Sequence, residues 1–273
     1  MIYKPPLFCF DTADAKYIAN TWEKLKGKTV GRSVEGITTN PNAFDKVGVK
    51  TIADIEAYIK DLAQVLKNIN SRGTIHMQVP VSTVSIHDLN RWAHFVENLS
   101  VKYEFRPVVK IPPRLSLLKG LPAGGVVRYN VTGLTDACTC NTLLTYSMVK
   151  YVSIIPGRME EIKLDADNHL ISIALSEYNN LSGYKHVVAG SMRTVYGLKK
   201  AIRYKTLPTI GTRVWDTMTD EDYESFPNWW QEEAKLPDFI VAPPADIKNV
   251  ELSVGFFETM DALGQSLWED FNK

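Results

Sequence analysis

The sequence has few cysteines, no net charge and no long uninterrupted apolar run. Three cysteines are too few, and odd in number, for a disulfide scaffold, so we predict buried free thiols. Lys and Arg total 31, as do Asp and Glu, so charge favours neither nucleic acid nor an anionic membrane as partner. No stretch approaches the ~18 apolar residues of a membrane span, and the N-terminus lacks a signal peptide's apolar core. We therefore predict a soluble cytoplasmic protein.

Metal-binding patterns are also missing. The five histidines show no HxH, HxxxH or HExxH spacing. Cys138 and Cys140 form a C-x-C pair, but no second Cys or His pair lies nearby to complete a zinc site. We therefore expect no bound metal.

Eight short apolar runs alternate with longer amphipathic segments. Such runs suit strands that are covered on both faces, and their alternation with helices predicts right-handed βαβ units. Eight units in 273 residues favour an α/β fold, the (β/α)8 TIM barrel. A doubly wound sheet is the alternative, although Phe10–Asp14 lacks the GxGxxG pattern of its phosphate loop. The predicted strands are Leu7–Phe10, Val34–Thr38, Thr74–Val79, Pro107–Ile111, Gly125–Val131, Tyr151–Ile155, His186–Ala189 and Lys205–Pro208.

Helical periodicity is clearest at Thr51–Asn70, where apolar residues recur every three or four positions. Thr51 and Asp54 have the spacing of a capping box, which favours a helix start there. We expect one domain over residues 1–273, with a C-terminal helix at about 253–272. The other predicted helices are Asp14–Leu25, Ser85–Leu99, Thr135–Val149, Ile171–Leu181, Thr194–Arg203 and Ser253–Phe271.

The segment at about 215–250 interrupts the strand–helix alternation. It is acidic, contains four prolines and carries the adjacent pair Trp229 and Trp230. Three interpretations stay open: an insertion or lid over the barrel, an oligomer interface rich in aromatic residues, or a wrap packed on its own barrel. We expect a homo-oligomer.

Lys110 is the residue that points most directly to chemistry. Its neighbours Val109 and Ile111 place it inside an apolar strand, where an unpaired ammonium costs several kcal/mol and tends to lose its proton. A desolvated lysine is a nucleophile that attacks a carbonyl carbon and forms a Schiff base. The alternative is a structural lysine paired with Asp11 or another carboxylate.

Further polar residues lie at or near strand ends, where the chemistry of such barrels is found. Ser191 and Arg193 follow the seventh predicted strand and precede a helix, and Arg158 follows the sixth. Backbone amides and arginines together form anion sites, whereas each arginine alone also fits a solvated ion pair.

The order of these motifs resembles that of the transaldolase family, including its smaller branch similar to fructose-6-phosphate aldolase. The resemblance spans about residues 7–208 and implies a class I aldolase-like barrel with a Schiff-base lysine on the fourth strand and no cofactor. The matching segments are Phe10–Asp14, Gly36–Phe44, Met77–Val79, Pro107–Pro112, Asn130–Thr132, Tyr151–Arg158, Ala189–Thr194 and Thr206–Pro208.

The resemblance also implies roles for individual residues. Lys110 would be the nucleophile, Asp11 would assist proton transfer, and Thr132 would hold the catalytic water. Gln78, which departs from the larger transaldolases, would help to orient that water. The dihydroxyacetone part of a sugar-phosphate substrate would be held by Asn40, Asn130 and Ser153, and its phosphate by Arg158, Ser191 and Arg193.

Two positions depart from the family. Gln78 stands where the larger transaldolases have an acid/base glutamate, and a glutamine does not exchange protons at neutral pH. Ile155 stands where the aldolase branch has a tyrosine hydroxyl. Three hypotheses follow: a transaldolase, an enzyme of reversible aldol cleavage that releases dihydroxyacetone, and a non-catalytic sugar-phosphate-binding protein.

Overall fold

Eight parallel strands close into a barrel in the part of the chain that the structure describes. The computed structural model describes residues 7–25, 33–70, 72–122, 125–175, 185–231 and 247–273. Each strand pairs with the next, and the first pairs with the eighth, which confirms the predicted (β/α)8 fold. The strands are β1 (Phe8–Asp11), β2 (Val34–Thr38), β3 (Thr74–Gln78), β4 (Arg106–Ile111), β5 (Arg128–Leu134), β6 (Val149–Ile154), β7 (His186–Ala189) and β8 (Leu207–Gly211).

Helices follow the strands. The capping box at Thr51 is present, and Ser85 and Thr194 cap the helices that follow them through their hydroxyl oxygens. The α-helices are α1 (Ala15–Leu25), α2 (Pro41–Lys46), α3 (Ile52–Ile69), α4 (Ile86–Tyr103), α5 (Leu115–Lys119), α6 (Ala137–Leu143), α7 (Pro156–Glu161), α8 (Ala166–Leu175), α9 (Val195–Arg203), α10 (Thr212–Trp215), α11 (Asp220–Ser225) and α12 (Ile247–Phe271); Phe226–Gln231 is a 3₁₀ helix.

Two predicted strands begin later than expected because turns occupy their first residues. Gly125 has φ of 124° and its carbonyl oxygen accepts a hydrogen bond from Arg128, so a turn precedes β5. Lys205 has φ of 57° and its amide donates to the Ile202 carbonyl oxygen, so it lies in the turn that follows α9.

Some predicted helix bounds also differ. The segment predicted as Thr135–Val149 is helical only to Leu143, because the chain then turns into β6. α8 begins before Ile171, and the predicted continuation through Leu181 lies outside the described residues. α12 begins at Ile247 rather than Ser253.

A small apolar cluster lies inside the barrel, below the polar side chains of the candidate site. Five buried side chains pack together inside the barrel, below the carboxyl ends of the strands: Cys9, Val108, Tyr151, Val188 and Leu207. Hydrophobic side chains between the strands and the outer helices form the larger core. The polar side chains of the candidate site therefore lie towards the carboxyl ends of the strands.

The cysteine prediction holds for two of the three thiols. Cys9 and Cys140 are buried, and burial raises the pKa of both thiols. Cys138 is exposed on α6, which contradicts the prediction because the helix turns this position away from the core.

The described part of the 215–250 segment packs against its own barrel. The Phe226 ring lies 5.3 Å from Phe8 of β1 and 5.4 Å from Trp215. Trp229 is buried, and the Trp230 ring lies 5.0 Å from Phe226. Residues 232–246 lie outside the described residues, so a lid or an oligomer interface there stays a prediction.

Within the described ranges, none of the helices is long and apolar enough to cross a membrane.

Gly264 allows α12 to dock across the carboxyl end of the barrel. A Cβ atom at this position would lie 1.9 Å from the carbonyl oxygen of Pro80, which follows β3. Gly264→Ala should therefore lower the free energy of unfolding by about 1–3 kcal/mol, measured by urea denaturation. Gly255→Ala is the matched control, because it lies on the same helix and its Cβ would meet nothing within 4 Å. Equal effects of the two substitutions would contradict this packing.

Candidate active site

Three neighbouring strands place polar side chains in one row inside the barrel. Gln78 of β3 is in register with Lys110 of β4, and Lys110 is in register with Asn130 of β5. Neighbours in register on parallel strands project to the same side of the sheet. The exposed fractions are 4% for Gln78, 6% for Lys110 and 0% for Asn130, so the row is buried.

Lys110 is an amine in a desolvated position. Its Nζ donates a hydrogen bond to the carbonyl oxygen of Thr39 at 3.3 Å. Burial lowers the pKa of Lys110, and the nearby charge of Asp11 opposes this shift without cancelling it. Among the described residues, no carboxylate lies within 4.0 Å of Nζ, so the structural ion pair is not formed.

Asp11 lies at the end of β1, close enough for its charge to act on Lys110. Its Oδ1 accepts a hydrogen bond from Thr38 Oγ1 at 2.7 Å, which fixes the carboxylate at the strand end. Asn40 follows β2, and its Oδ1 caps α2 by accepting from the Ala43 amide at 2.8 Å. The cap leaves the Nδ2 donor of Asn40 for a bound molecule.

Asn130 and Ser153 are hydrogen-bonded across β5 and β6. Ser153 Oγ donates to Asn130 Oδ1 at 2.7 Å, and Asn130 Nδ2 lies 3.2 Å from Nδ1 of His76. Thr132 lies two residues beyond Asn130 on β5, on the same face, and is buried.

Gln78 carries an unpartnered acceptor. Its Oε1 is buried and has no hydrogen-bond partner among the described residues. Leaving a buried acceptor unpaired costs about 1–3 kcal/mol. An acceptor left in this state beside the buried amine of Lys110 is suited to accept a hydrogen bond from a hydroxyl or a water.

The opposite side of the site is cationic. Arg158 follows β6 and Arg193 follows β7, and their loops touch, since a Cβ on Gly157 would lie 1.9 Å from the Ser191 carbonyl oxygen. Glu161 accepts from Arg193 at 2.7 and 3.4 Å. Arg158 Nε, in contrast, is buried and unpartnered within the described ranges. Burial and the charge of Arg193 lower the pKa of Arg158. An anion bound here would offset both the desolvation of the Arg158 guanidinium and its repulsion by Arg193.

A cavity of about 120 Å³ lies between Asp11, Asn40 and the two arginines. Five of the ten predicted site residues line it: Asp11, Asn40, Arg158, Ser191 and Arg193. The other five lie deeper and do not line it: Gln78, Lys110, Asn130, Thr132 and Ser153. Thr38 and Thr39 connect the two sets, since one bonds Asp11 and the other accepts from Lys110.

The structure adds residues that the sequence patterns did not identify as part of the site. Phe256 and Met260 of α12 line the cavity, and the Arg158 guanidinium lies 5.1 Å from the Phe256 ring. Lys46 and Arg213 line it as well. The periodicity of α12 marks Phe256 as apolar, but no local pattern tells where that helix docks.

Comparisons with known proteins leave the family open. No family model and no curated protein matches the chain. Methylaspartate ammonia lyase from Citrobacter amalonaticus, containing (2S,3S)-3-methylaspartic acid, has a similar structure, with a TM-score of 0.52 and 14% identity. The match covers 82% of this chain but less than two thirds of that one, 58%. At this identity it shows a shared barrel fold.

Two further structures are less similar. One, described as native KDPGal, has a TM-score of 0.44 and 8% identity, with 93% of this chain and 98% of that chain covered. The other is a cube-shaped, highly porous designed protein cage, with a TM-score of 0.41 and 9% identity over 96% of this chain and 77% of that one. Likenesses this weak carry no argument about activity.

The burial of Lys110 has a cost in stability. Lys110→Met should raise the free energy of unfolding at pH 7 by about 1–2 kcal/mol, because methionine needs no desolvation of a charge. The pKa of Lys110 is lower in the folded than in the unfolded chain, so the wild type gains stability as the pH rises towards 10.5. The advantage of the variant should therefore shrink with rising pH, measured by urea denaturation.

Lys60→Met on the exposed face of α3 is the control and should change stability by less than about 0.5 kcal/mol. A Lys110→Met protein less stable than the wild type at pH 7 would contradict the desolvation argument.

Proposed function

We propose that the protein is a class I transaldolase that moves a dihydroxyacetone unit between sugar phosphates through a Schiff base on Lys110. The observation that carries this proposal is a buried amine of lowered pKa at the same barrel end as a two-arginine anion site. An amine of this kind reacts with a ketone, and the arginines suit the phosphate of the same molecule. The motif resemblance to the transaldolase family supports the same substrate class.

The anion site orients the ketose. Arg158, Arg193 and Ser191 bind the phosphate of fructose 6-phosphate or sedoheptulose 7-phosphate, which directs the carbonyl end towards the barrel interior. There the Nδ2 atoms of Asn40 and Asn130 hold the hydroxyls beside the carbonyl, with Ser153 next to Asn130. Binding energy from the phosphate thereby positions the reacting carbon at the amine.

Lys110 then acts as the nucleophile. Its uncharged amine adds to C2, the carbinolamine loses water, and a protonated imine forms. Removal of the proton from the C4 hydroxyl breaks the C3–C4 bond, an aldose phosphate leaves, and the electron pair stays on the lysine adduct as an enamine. The enamine adds to the aldehyde carbon of a second aldose phosphate, and water then hydrolyses the new imine.

Asp11 takes most of the proton transfer in this proposal. Gln78 cannot exchange protons, and Ile155 is a buried hydrocarbon packed on Phe256 and Met260. Asp11 lines the cavity, and its bond to Thr38 orients it. Gln78 Oε1 and Thr132 position the water. Since general acid–base groups contribute about 10²–10⁴-fold, we expect a slower enzyme than one with a carboxylate at position 78.

Reductive trapping with borohydride tests whether an imine forms on Lys110. Incubation with fructose 6-phosphate and borohydride should reduce the imine to a stable secondary amine, and peptide mass spectrometry should place the adduct on Lys110. Lys110→Ala should form no adduct. Lys185→Ala is the matched control and should still form it, since Lys185 is a half-buried lysine whose pKa is also lowered by burial and which does not line the cavity.

An adduct that survives Lys110→Ala would refute the role of this amine. A wild-type protein that binds fructose 6-phosphate without forming any adduct would favour the non-catalytic sugar-phosphate-binding alternative.

Reversible aldol cleavage is the second candidate, because the aldolase branch that the sequence resembles also has a glutamine at the position of Gln78. The two reactions differ in their need for an acceptor. Turnover of fructose 6-phosphate should require erythrose 4-phosphate if the enzyme is a transaldolase. Release of free dihydroxyacetone at the same rate without an acceptor would assign the aldolase reaction instead.

A further inference from the structure

A chain of buried hydrogen bonds runs from Asn130 into the barrel interior. Asn130 Nδ2 lies 3.2 Å from His76 Nδ1, and His76 Nε2 lies 3.0 Å from Thr74 Oγ1. Thr74 Oγ1 in turn lies 3.1 Å from the carbonyl oxygen of Glu35. His76 is completely buried, and the mechanism above does not use it.

The far end of this chain sets the direction of every bond in it. The carbonyl oxygen of Glu35 can only accept, so the single hydroxyl proton of Thr74 is donated to it. Thr74 Oγ1 must then accept from His76 Nε2, which therefore carries the ring proton. His76 Nδ1 is left as an acceptor, and only the Nδ2 side of Asn130 can donate to it.

The near end of the chain agrees with this direction. With Nδ2 of Asn130 facing His76, Oδ1 faces Ser153 and accepts its hydroxyl proton at 2.7 Å. The second Nδ2 proton of Asn130 stays unused by this chain, beside Lys110 on the neighbouring strand. The opposite histidine tautomer would reverse the amide and leave the Glu35 carbonyl oxygen without the Thr74 proton.

We propose that His76 is a positioning residue that fixes the amide orientation of Asn130, so that Nδ2 donates to a hydroxyl oxygen of the ketone-derived unit bound to Lys110. The part of this proposal that concerns substrate rests on the proposed function. The orientation itself rests on the hydrogen bonds alone.

This series of hydrogen bonds requires a neutral His76, because a doubly protonated imidazole ring has no nitrogen that can accept a hydrogen bond. The ring centroids of Tyr151 and His76 are 4.6 Å apart. The Tyr151 hydroxyl donates a hydrogen bond to Glu35 Oε1 at 2.6 Å. The pKa of His76 lies well below 6.5; burial is the largest cause, followed by the positive charges of Lys110, Lys150, His186 and Arg106.

Nuclear magnetic resonance tests the orientation without any substrate. In the ¹⁵N-labelled full chain, two-bond ¹H–¹⁵N correlations of His76, assigned by their loss in His76→Asn, should show a neutral ring protonated on Nε2. The pattern should not change between pH 5 and 8. A ring protonated on Nδ1, or one that titrates in this range, would overturn the proposal whatever the activity of the protein.

Kinetics test the consequence for catalysis. His76→Leu removes the acceptor, so kcat with fructose 6-phosphate and erythrose 4-phosphate should fall roughly 10- to 100-fold, with little change in KM because the arginines are intact. His76→Asn places an acceptor near the Nδ1 position and should restore most of the loss. Tyr151→Phe is the control, since it loses a buried hydrogen bond nearby without touching Asn130.

Unchanged kcat in His76→Leu, or an equal loss in Tyr151→Phe, would overturn the positioning role. If the wild type formed no borohydride adduct at all, the proposed function would fail, and the spectrum would still decide the orientation of Asn130.

Discussion

The removal of one amine from water is the constraint on which the rest of the site depends. Lys110 is inside the barrel with a carbonyl oxygen as its hydrogen-bond partner, so burial lowers its pKa. A direct ion pair with Asp11 would reverse this effect. The structure keeps that carboxylate at a distance by hydrogen-bonding it to Thr38, so that its charge acts on the amine without neutralising it. Burial of this amine lowers the stability of the fold at neutral pH.

The closed barrel explains how distant parts of the chain meet at the same barrel end as that amine. The register of β3, β4 and β5 puts Gln78, Lys110 and Asn130 in one buried row. The loops after β6 and β7 bring Arg158 beside Arg193, and α12 adds Phe256 to the cavity wall. Two unpartnered buried polar atoms lie at this end of the barrel: Gln78 Oε1 in the buried row and Arg158 Nε beside the cavity.

Local patterns predicted the eight strands, because each strand is a short buried run between helices. They also placed the site residues near strand ends, since parallel strands end together at one edge of a barrel. They missed His76 as a partner of Asn130, because that contact depends on which interior layer each side chain enters. They missed Phe256 in the cavity wall, because the docking of α12 depends on a close approach at Gly264. They placed the start of β5 too early, at Gly125, because that residue belongs to a turn before the strand.

The most direct test of this account is the titration of the Lys110 amine itself. Competitive acetylation of the folded protein between pH 6 and 11, read by peptide mass spectrometry, gives the pKa of each lysine from its rate profile. The account predicts a pKa for Lys110 below 10.5, and a lower one in Asp11→Asn because the charge of Asp11 raises it. A pKa at or above 10.5, or no change in that variant, would contradict it.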